Sequence, residues 1–437
     1  MQDDSTVATV MLGLAGFRLL AVSERDGELE QAIETVAVEA FCPSCGALAS
    51  LHDRRPTWVR DLPAGGRPVV LVWIKRVWRC RERRCPAVTW SERSQQIGPR
   101  ASLTARARRE AARRVGEDGH TVASVAAQFG VSWDTVMGAV REHGQPLVDD
   151  PTRLAGVGGL GVDEHVWSRA SRTRRTRFAT GVVDITPGRP VRLLDVVKGR
   201  TGKVYADWIN AHDTAWRAGI TVAALDPFRG YATALRLELP HAVRVLDAFH
   251  VVKLANHAVD QVRRRVQLVT LGHRGYKNDP LYRVRRLLRR GAEHLSAEQL
   301  ERIRTALALG DPTGELTVAW HHVQQVRAIY HAPSPRAGHR HAARVLDELP
   351  RSGIPEIARL GRTLGTWRRE LLAYFTTGGL SNGPTEATNL LIEKVRRVGH
   401  GFRNFDNYRL RLLLYCGVDW QTPTTTPIRG RLPRLVA

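Results

Sequence analysis

Hydrophobic and polar positions alternate with different periods along this chain, and the changes of period divide it. Over residues 1–97 the apolar runs are short: 17–22, 32–38 and 69–73 read as strands, and Ala64-Gly65-Gly66 reads as a turn. From residue 98 the period becomes helical. Leu103, Ala107, Ala111 and Val115 form one stripe, with Arg106, Arg108, Arg109, Arg113 and Arg114 on the other side. A helix over 122–129, a turn at Gly130 and a helix opening on Ser132 as its N-cap make a helix-turn-helix. Its second helix offers Ser132, Trp133, Thr135 and Arg141 to a DNA groove, with Val131, Val136 and Val140 buried. Residues 145–159, rich in Pro, Asp and Gly, read as a linker.

Beyond the linker, 160–166, 178–185 and 191–197 are three consecutive strands. A helix over 202–218, a strand over 221–225, a helix over 231–239, a strand over 243–246 and a helix over 250–267 follow. Three strands, then helix, strand, helix and strand, is the order of an RNase H-like fold. Residues 268–379 lose the strands, are rich in arginine and read as an all-helical insertion. Past it, Gly383 and Pro384 start a helix whose apolar stripe is Ala387, Leu390, Leu391, Val395 and Val398. Glu386, Asn389, Glu393 and Arg397 share its polar side. Read alone, this is a surface helix whose early carboxylate complements the helix dipole.

The expected architecture is a multidomain α/β protein. A ribbon-like zinc-binding β-domain (1–97) precedes a helix-turn-helix (98–145). A core in two parts (158–267 and 380–420) is interrupted by the all-α insertion (268–379), and a tail (421–437) ends the chain.

Charge narrows the partners. Lys and Arg total 66 against 43 Asp and Glu, a net charge of +23. Such an excess suits a polyanion, because each cation set on a phosphate releases a condensed counterion. No run of eighteen or more apolar residues is present, and the N-terminus lacks the pattern of a signal peptide, so a soluble cytoplasmic protein with no membrane partner is expected.

Four of the five cysteines fall in two close pairs, Cys42 with Cys45 and Cys80 with Cys85. Without a secretory signal disulfides explain them poorly. Four thiolates in two pairs suit a structural Zn2+ that staples a small β-domain. Four reduced core thiols are the alternative, but the flanking Pro43, Gly46, Arg81 and Pro86 are turn residues. Asp163 lies within the first core strand, where a carboxylate is costly unless it binds a cation or is well hydrogen-bonded. Asp226 ends the fourth strand, at the carboxyl edge where ligands gather in α/β sheets. In an RNase H-like order these strands are neighbours, and Glu386 is the candidate third carboxylate. Three such oxygen donors suit Mg2+ or Mn2+.

The motifs CPSCG (42–46), VRDLPAGGRPVVLVW (59–73), GVDEH (161–165), LDPFRGY (225–231), VRVLDAFHVVKL (243–254) and SNGPTEATNLLIEKVRRVGHGFRNFDNYRLRLLLYCG (381–417) span nearly the whole chain. Through them it resembles the ISL-three family of bacterial insertion-sequence transposases, of the DDE class. The resemblance implies that Asp163, Asp226 and Glu386 form the catalytic, Mg2+-binding triad. It assigns Asp247 and His250 a supporting role, Asp247 being the runner-up for the second carboxylate. It implies cleavage of a phosphodiester at the element's end by water, then direct attack of the freed 3′-hydroxyl on target DNA. Lys394, Arg396, Arg397 and Arg403 then hold phosphates, while the zinc and helix-turn-helix modules read terminal inverted repeats. Two ends must meet, so a homodimer or larger synaptic assembly on double-stranded DNA, nucleoid-associated, is implied. The second cysteine pair departs from the family pattern, being separated by four residues rather than two. A non-enzymatic zinc and helix-turn-helix DNA-binding regulator, or an inactive transposase copy, is the alternative reading.

Overall fold

The computed structural model describes residues 9–170, 172–173 and 175–420, so the tail at 421–437 lies outside the described residues. The chain forms two compact units, one made of residues up to Arg153 together with those from Asn404 onward, the other of Leu154–Arg403.

In the first unit the strands are β1 (Phe17–Arg25), β2 (Glu28–Thr35), β3 (Ala49–Ala64), β4 (Arg67–Cys80) and β5 (Thr89–Ser91), in the order β1-β2-β4-β3 with β5 on β4. Two tight turns close its antiparallel pairs. At one, Asp26 and Gly27 have φ of 52° and 79°; at the other, Gly65 and Gly66 have φ of 58° and 76°. Positive φ at both central residues is the twist that two-residue hairpins require. The buried face carries Phe17, Ile33, Val59, Leu71 and Trp73. The sheet also carries a buried ion pair, Arg76 Nη2 to Glu34 Oε2 at 2.9 Å.

The helices α1 (Ala105–Gly116), α2 (Val122–Phe129) and α3 (Trp133–Asp149) follow. Local chemistry sets their ends. Thr121 accepts a hydrogen bond from the Ser124 amide at 2.9 Å, Ser132 accepts one from the Thr135 amide at 3.2 Å, and Gly130 turns at φ +64° between them. Arg106, expected on an open arginine face, instead pairs with buried Asp61 of β3. The expected linker is also shorter. Helix α3 continues through Gln145 and Pro146 to Asp149, because Val148 is buried and the contacts outweigh the backbone hydrogen bond that Pro146 cannot donate.

The second unit's sheet has β6 (Gly159–Ser168), β7 (Arg177–Asp184), β8 (Arg192–Lys198), β9 (Val222–Leu225) and β10 (Val243–Leu246), in the order β10-β9-β6-β7-β8. β6, β7 and β8 form an antiparallel meander, and β9 and β10 continue it in parallel beyond β6. This is the expected RNase H-like arrangement. The single helix expected over 202–218 is two, α4 (Gly202–Asn210) and α5 (Thr214–Gly219). Asp213 breaks it by accepting from the Trp216 amide at 2.7 Å. Then come α6 (Arg229–Glu238) and α7 (Ala248–Leu271).

The insertion contains α8 (Pro280–Arg283), α9 (Ala297–Gly310), α10 (Glu315–Ala328), α11 (Pro335–Glu348), α12 (Pro355–Gly365) and α13 (Arg368–Thr376). Apolar side chains of α7, α10, α12 and α13 join the core beneath the sheet.

Two results concern the C-terminal helices. α14 (Gly383–Val398) lies on β6 and β7, but not by the apolar stripe read from sequence. Its buried residues are Thr385, Thr388, Ile392 and Val395, whereas Leu390 is 74% exposed and Ala387, Leu391 and Val398 are also exposed. The reason is close approach: a β-carbon on Gly161 of β6 would stand 2.0 Å from Thr385 Oγ1. At its start, a helix seated that near a strand needs short side chains beneath it, which Thr385 and Thr388 supply, while Ile392 and Val395 pack further along. α15 (Phe405–Cys416) belongs to the first compact unit, where it packs on α1 and α3.

Candidate active site

Strand register builds the site. Gly161 pairs with Ala224 across β6 and β9, which brings Asp163, two residues further along β6, beside Asp226, which directly follows β9. Leu225 pairs with Leu246 across β9 and β10, and the Asp247 amide donates to the Leu225 carbonyl at 3.0 Å. Asp226 and Asp247 thus stand side by side at the carboxyl ends of β9 and β10, at the ~4.8 Å spacing of adjacent strands, with Asp163 of β6 next to Asp226.

Their surroundings differ. Asp247 is almost fully buried and caps α7, and both of its oxygens are engaged. Oδ1 accepts from the Asn382 amide at 2.9 Å, while Oδ2 meets the His250 amide at 3.1 Å and His250 Nδ1 at 3.0 Å. Asp226 keeps an open side. Its Oδ1 lies 3.0 Å from His250 Nδ1 and accepts from Asn382 Nδ2 at 3.3 Å. Asp163 Oδ2 accepts from Asn389 Nδ2 at 2.6 Å. Glu386 Oε1 is 3.9 Å from His250 Nδ1, and its side chain is partly exposed.

The charges are frustrated. Burial, then the charge of Asp163, pushes the Asp226 carboxyl up to about 8. Burial also raises Asp163, and burial followed by the Asp247 charge raises Glu386. Burial works against a charged His250, but the Asp247 hydrogen bond and the Asp226 charge overcome it and raise its pKa. Crowded hard oxygens that resist ionising together are the donor set a divalent cation relieves, so the residues fit Mg2+ or Mn2+. Asp226, Asp247 and His250 also bring ligand atoms within 4.8 Å of one another, and both oxygens of Asp247 accept hydrogen bonds inside the protein.

Sequence reasoning overlooked two residues here. Asn382, fully buried, links β6, Asp226 and Asp247, donating from Nδ2 to the Val162 carbonyl at 3.1 Å as well. Its only signal was an amide side chain just before the Gly-Pro helix start. Lys253 stands one turn past His250 on α7, and its charge acts on Asp163 and Glu386.

The basic residues after Glu386 are not equivalent. Glu393 accepts from Arg396 Nε and Nη2, both at 2.6 Å, and from Arg397 Nε at 2.7 Å. Those bonds from Arg396, assisted by Arg397, hold the Glu393 carboxyl down at about 2. The Arg396 side chain is 13% exposed and that of Arg397 73% exposed. Lys394 and Arg403 are exposed.

In the first unit, Cys42, Cys45, Cys80 and Cys85 gather at one end of the β3–β4 pair. Cys42 and Cys85 sulfurs are 3.6 Å apart, and Cys45 and Cys80 sulfurs 3.5 Å. These are too long for disulfides and near the ~3.8 Å edge of a tetrahedron with Zn–S bonds of ~2.3 Å. Burial would raise the Cys42 thiol, but the Cys45 and Ser44 amides bring it down to about 7. The four residues therefore fit Zn2+. At the start of α3, Ser132 and Trp133 are exposed and Thr135 is partly exposed, with its hydroxyl 2.9 Å from that of Ser132. Arg141 is exposed but its Nη2 donates to Asn407 Oδ1 at 2.9 Å.

Three family models match this chain. One described as "Transposase" covers residues 160–412, more than half of the chain. "Helix-turn-helix domain of transposase family ISL3" covers 92–144, and "zinc-finger of transposase IS204/IS1001/IS1096/IS1165" covers 39–85. No curated protein matches. Among solved structures, a chain of the "Drosophila P element transposase strand transfer complex" is similar over 74% of this chain and 95% of that one, at 12% identity and TM-score 0.40. No helix among the described residues is long and apolar enough to cross a membrane.

Proposed function

Because the chain belongs to the ISL3 family of transposases, we propose that it cleaves and joins DNA with Asp163, Asp226 and Glu386 as the metal-holding triad. The observation that carries this reading is the register of β6 on β9 that brings Asp163 beside Asp226, with Glu386 reaching the same His250 that Asp226 meets. Bound there, Mg2+ or Mn2+ supplies Lewis-acid activation of the attacking oxygen and stabilises the leaving one. The protein's part is positioning. Asn389 orients Asp163, and Asn382 orients Asp226. Asp247 anchors Asn382 and His250, which makes it a positioning residue rather than the second ligand. His250 balances the carboxylates' charge while no cation is bound.

Lys394, Arg397 and Arg403 face solvent and neutralise DNA phosphates, and Arg396 holds its neighbours through Glu393. Zn2+ on the four cysteines keeps the N-terminal sheet intact. The recognition helix enters a major groove of the terminal inverted repeat with Ser132, Trp133 and Thr135 leading, and Arg141 further along it. Two ends are processed by a dimer or larger assembly at the nucleoid. Purified protein with Mg2+ should cut duplexes bearing the inverted repeats that flank its coding region and join them to target DNA. Asp163→Ala, Asp226→Ala and Glu386→Ala should each abolish cutting while binding persists. Undiminished cutting by Asp226→Ala would move its role to Asp247.

A further inference from the structure

A cavity of about 700 Å³ opens at the far end of α14, among Trp167, Arg169, Arg396, Arg397, Phe402 and Arg403. Its composition is unlike a plain phosphate track. Trp167 is buried and supplies an apolar floor, half-buried Phe402 supplies a wall, and four arginines stand around them. The loop that carries the wall reverses tightly, with His400 at φ +50° and Gly401 at φ +92°. A duplex backbone offers charge but no flat apolar face. A nucleotide turned out of the helix offers both, and aromatic rings with arginines are the groups that receive it.

Position relative to the carboxylates is the second observation. Trp167 follows Asp163 by four residues along β6, a rise of ~13 Å, and Arg397 follows Glu386 by eleven residues along α14, a rise of ~16 Å. At ~3.4 Å per nucleotide step in duplex DNA the cavity lies about four to five steps from the cut.

We propose that this cavity takes one unpaired nucleotide of the DNA being processed, its base against Phe402 and Trp167 and its phosphate on Arg169 and Arg403. The proposal rests on the transposase reading of the neighbouring carboxylates. Extruding the base loosens the duplex beside the cut, and the cavity recovers part of the cost of unstacking it.

The test is a binding scan with the full chain and no divalent cation, so that it does not depend on cleavage. End duplexes carrying the flanking inverted repeat are given a single mismatched nucleotide at each of the first eight positions from the cut. Relief of the unpairing cost should tighten binding by ~10-fold or more at one or two adjacent positions on one strand. Phe402→Ala, at a half-buried site, should bring the ratio of mismatched to paired affinity back toward one. Equal affinities at every position, or a ratio that Phe402→Ala leaves unchanged, would overturn the proposal and leave a groove for paired backbone only. Competition by inorganic phosphate as effective as by the mismatched oligonucleotide would also overturn it, leaving an anion site. Failure of the carboxylate reading would show separately, as cutting that survives Asp163→Ala.

Discussion

Thr385 Oγ1 occupies the space that a β-carbon on Gly161 would need, at 2.0 Å from its position. The contact joins the strand that carries Asp163 to the helix that carries Glu386, one residue after Thr385. Gly161→Ala must therefore push the start of α14 away from the sheet. Overpacking costs ~1–3 kcal/mol, and a carboxylate displaced by ~1 Å costs ~10²-fold in rate. The expected result is a modest drop in melting temperature with a much larger loss of DNA cutting. A variant that melts lower but cuts at the original rate would mean that the contact does not position Glu386.

Asn382 should matter nearly as much as the carboxylates. In Asn382→Ala the backbone amide still serves Asp247, but the bonds from Nδ2 to Val162 and Asp226 are lost. Leaving those acceptors unpaired costs ~1–3 kcal/mol. Calorimetric titration with Mn2+ should show weaker binding, and cutting should fall at least ~10-fold. Unaltered Mn2+ affinity would show that Asp226 holds its orientation without help.

The zinc module can be tested by metal content. One zinc per chain is expected, bound with the four sulfurs that now lie 3.5–3.6 Å apart in pairs. Cys45→Ser, or a strong chelator, should release it and open the β3–β4 end of the sheet to proteolysis, because the metal's binding energy is part of this domain's folding energy. Full zinc content in Cys45→Ser would rule out the four-sulfur site.

Glu34 gives a pH prediction. Burial would raise its pKa, but hydrogen bonds from Arg18 and Arg76 more than reverse this and lower it from 4.5. The folded state thus binds the proton less readily than the unfolded chain. The pair's contribution is fully present above pH ~4.5 and is lost as pH falls through the lower folded value. Glu34→Gln leaves Arg76 buried without its counter-charge and should destabilise the first unit by ~3 kcal/mol at pH 7. The gap between wild type and variant should narrow below pH 4 in acid melts. A gap independent of pH would assign the cost to packing instead.

The residues themselves determined whatever depends on neighbours in the chain. The helix-turn-helix boundaries follow from Thr121, Gly130 and Ser132, whose bonds reach only three or four residues. The order of strands and helices, and the close pairs of cysteines, were readable for the same reason. Tertiary structure decided the rest, because each remaining choice lay with a partner far away in sequence. The buried face of α14 was chosen by the space above Gly161, not by where its leucines fall. α15 was drawn to α1 and α3, and α3 kept Pro146. Asp226 and Asp247 both follow strands, and nothing local separates them. Only the tertiary structure gives them different surroundings, Asp247 buried against the Asn382 amide and His250, and Asp226 partly exposed beside Asn382 Nδ2 and His250.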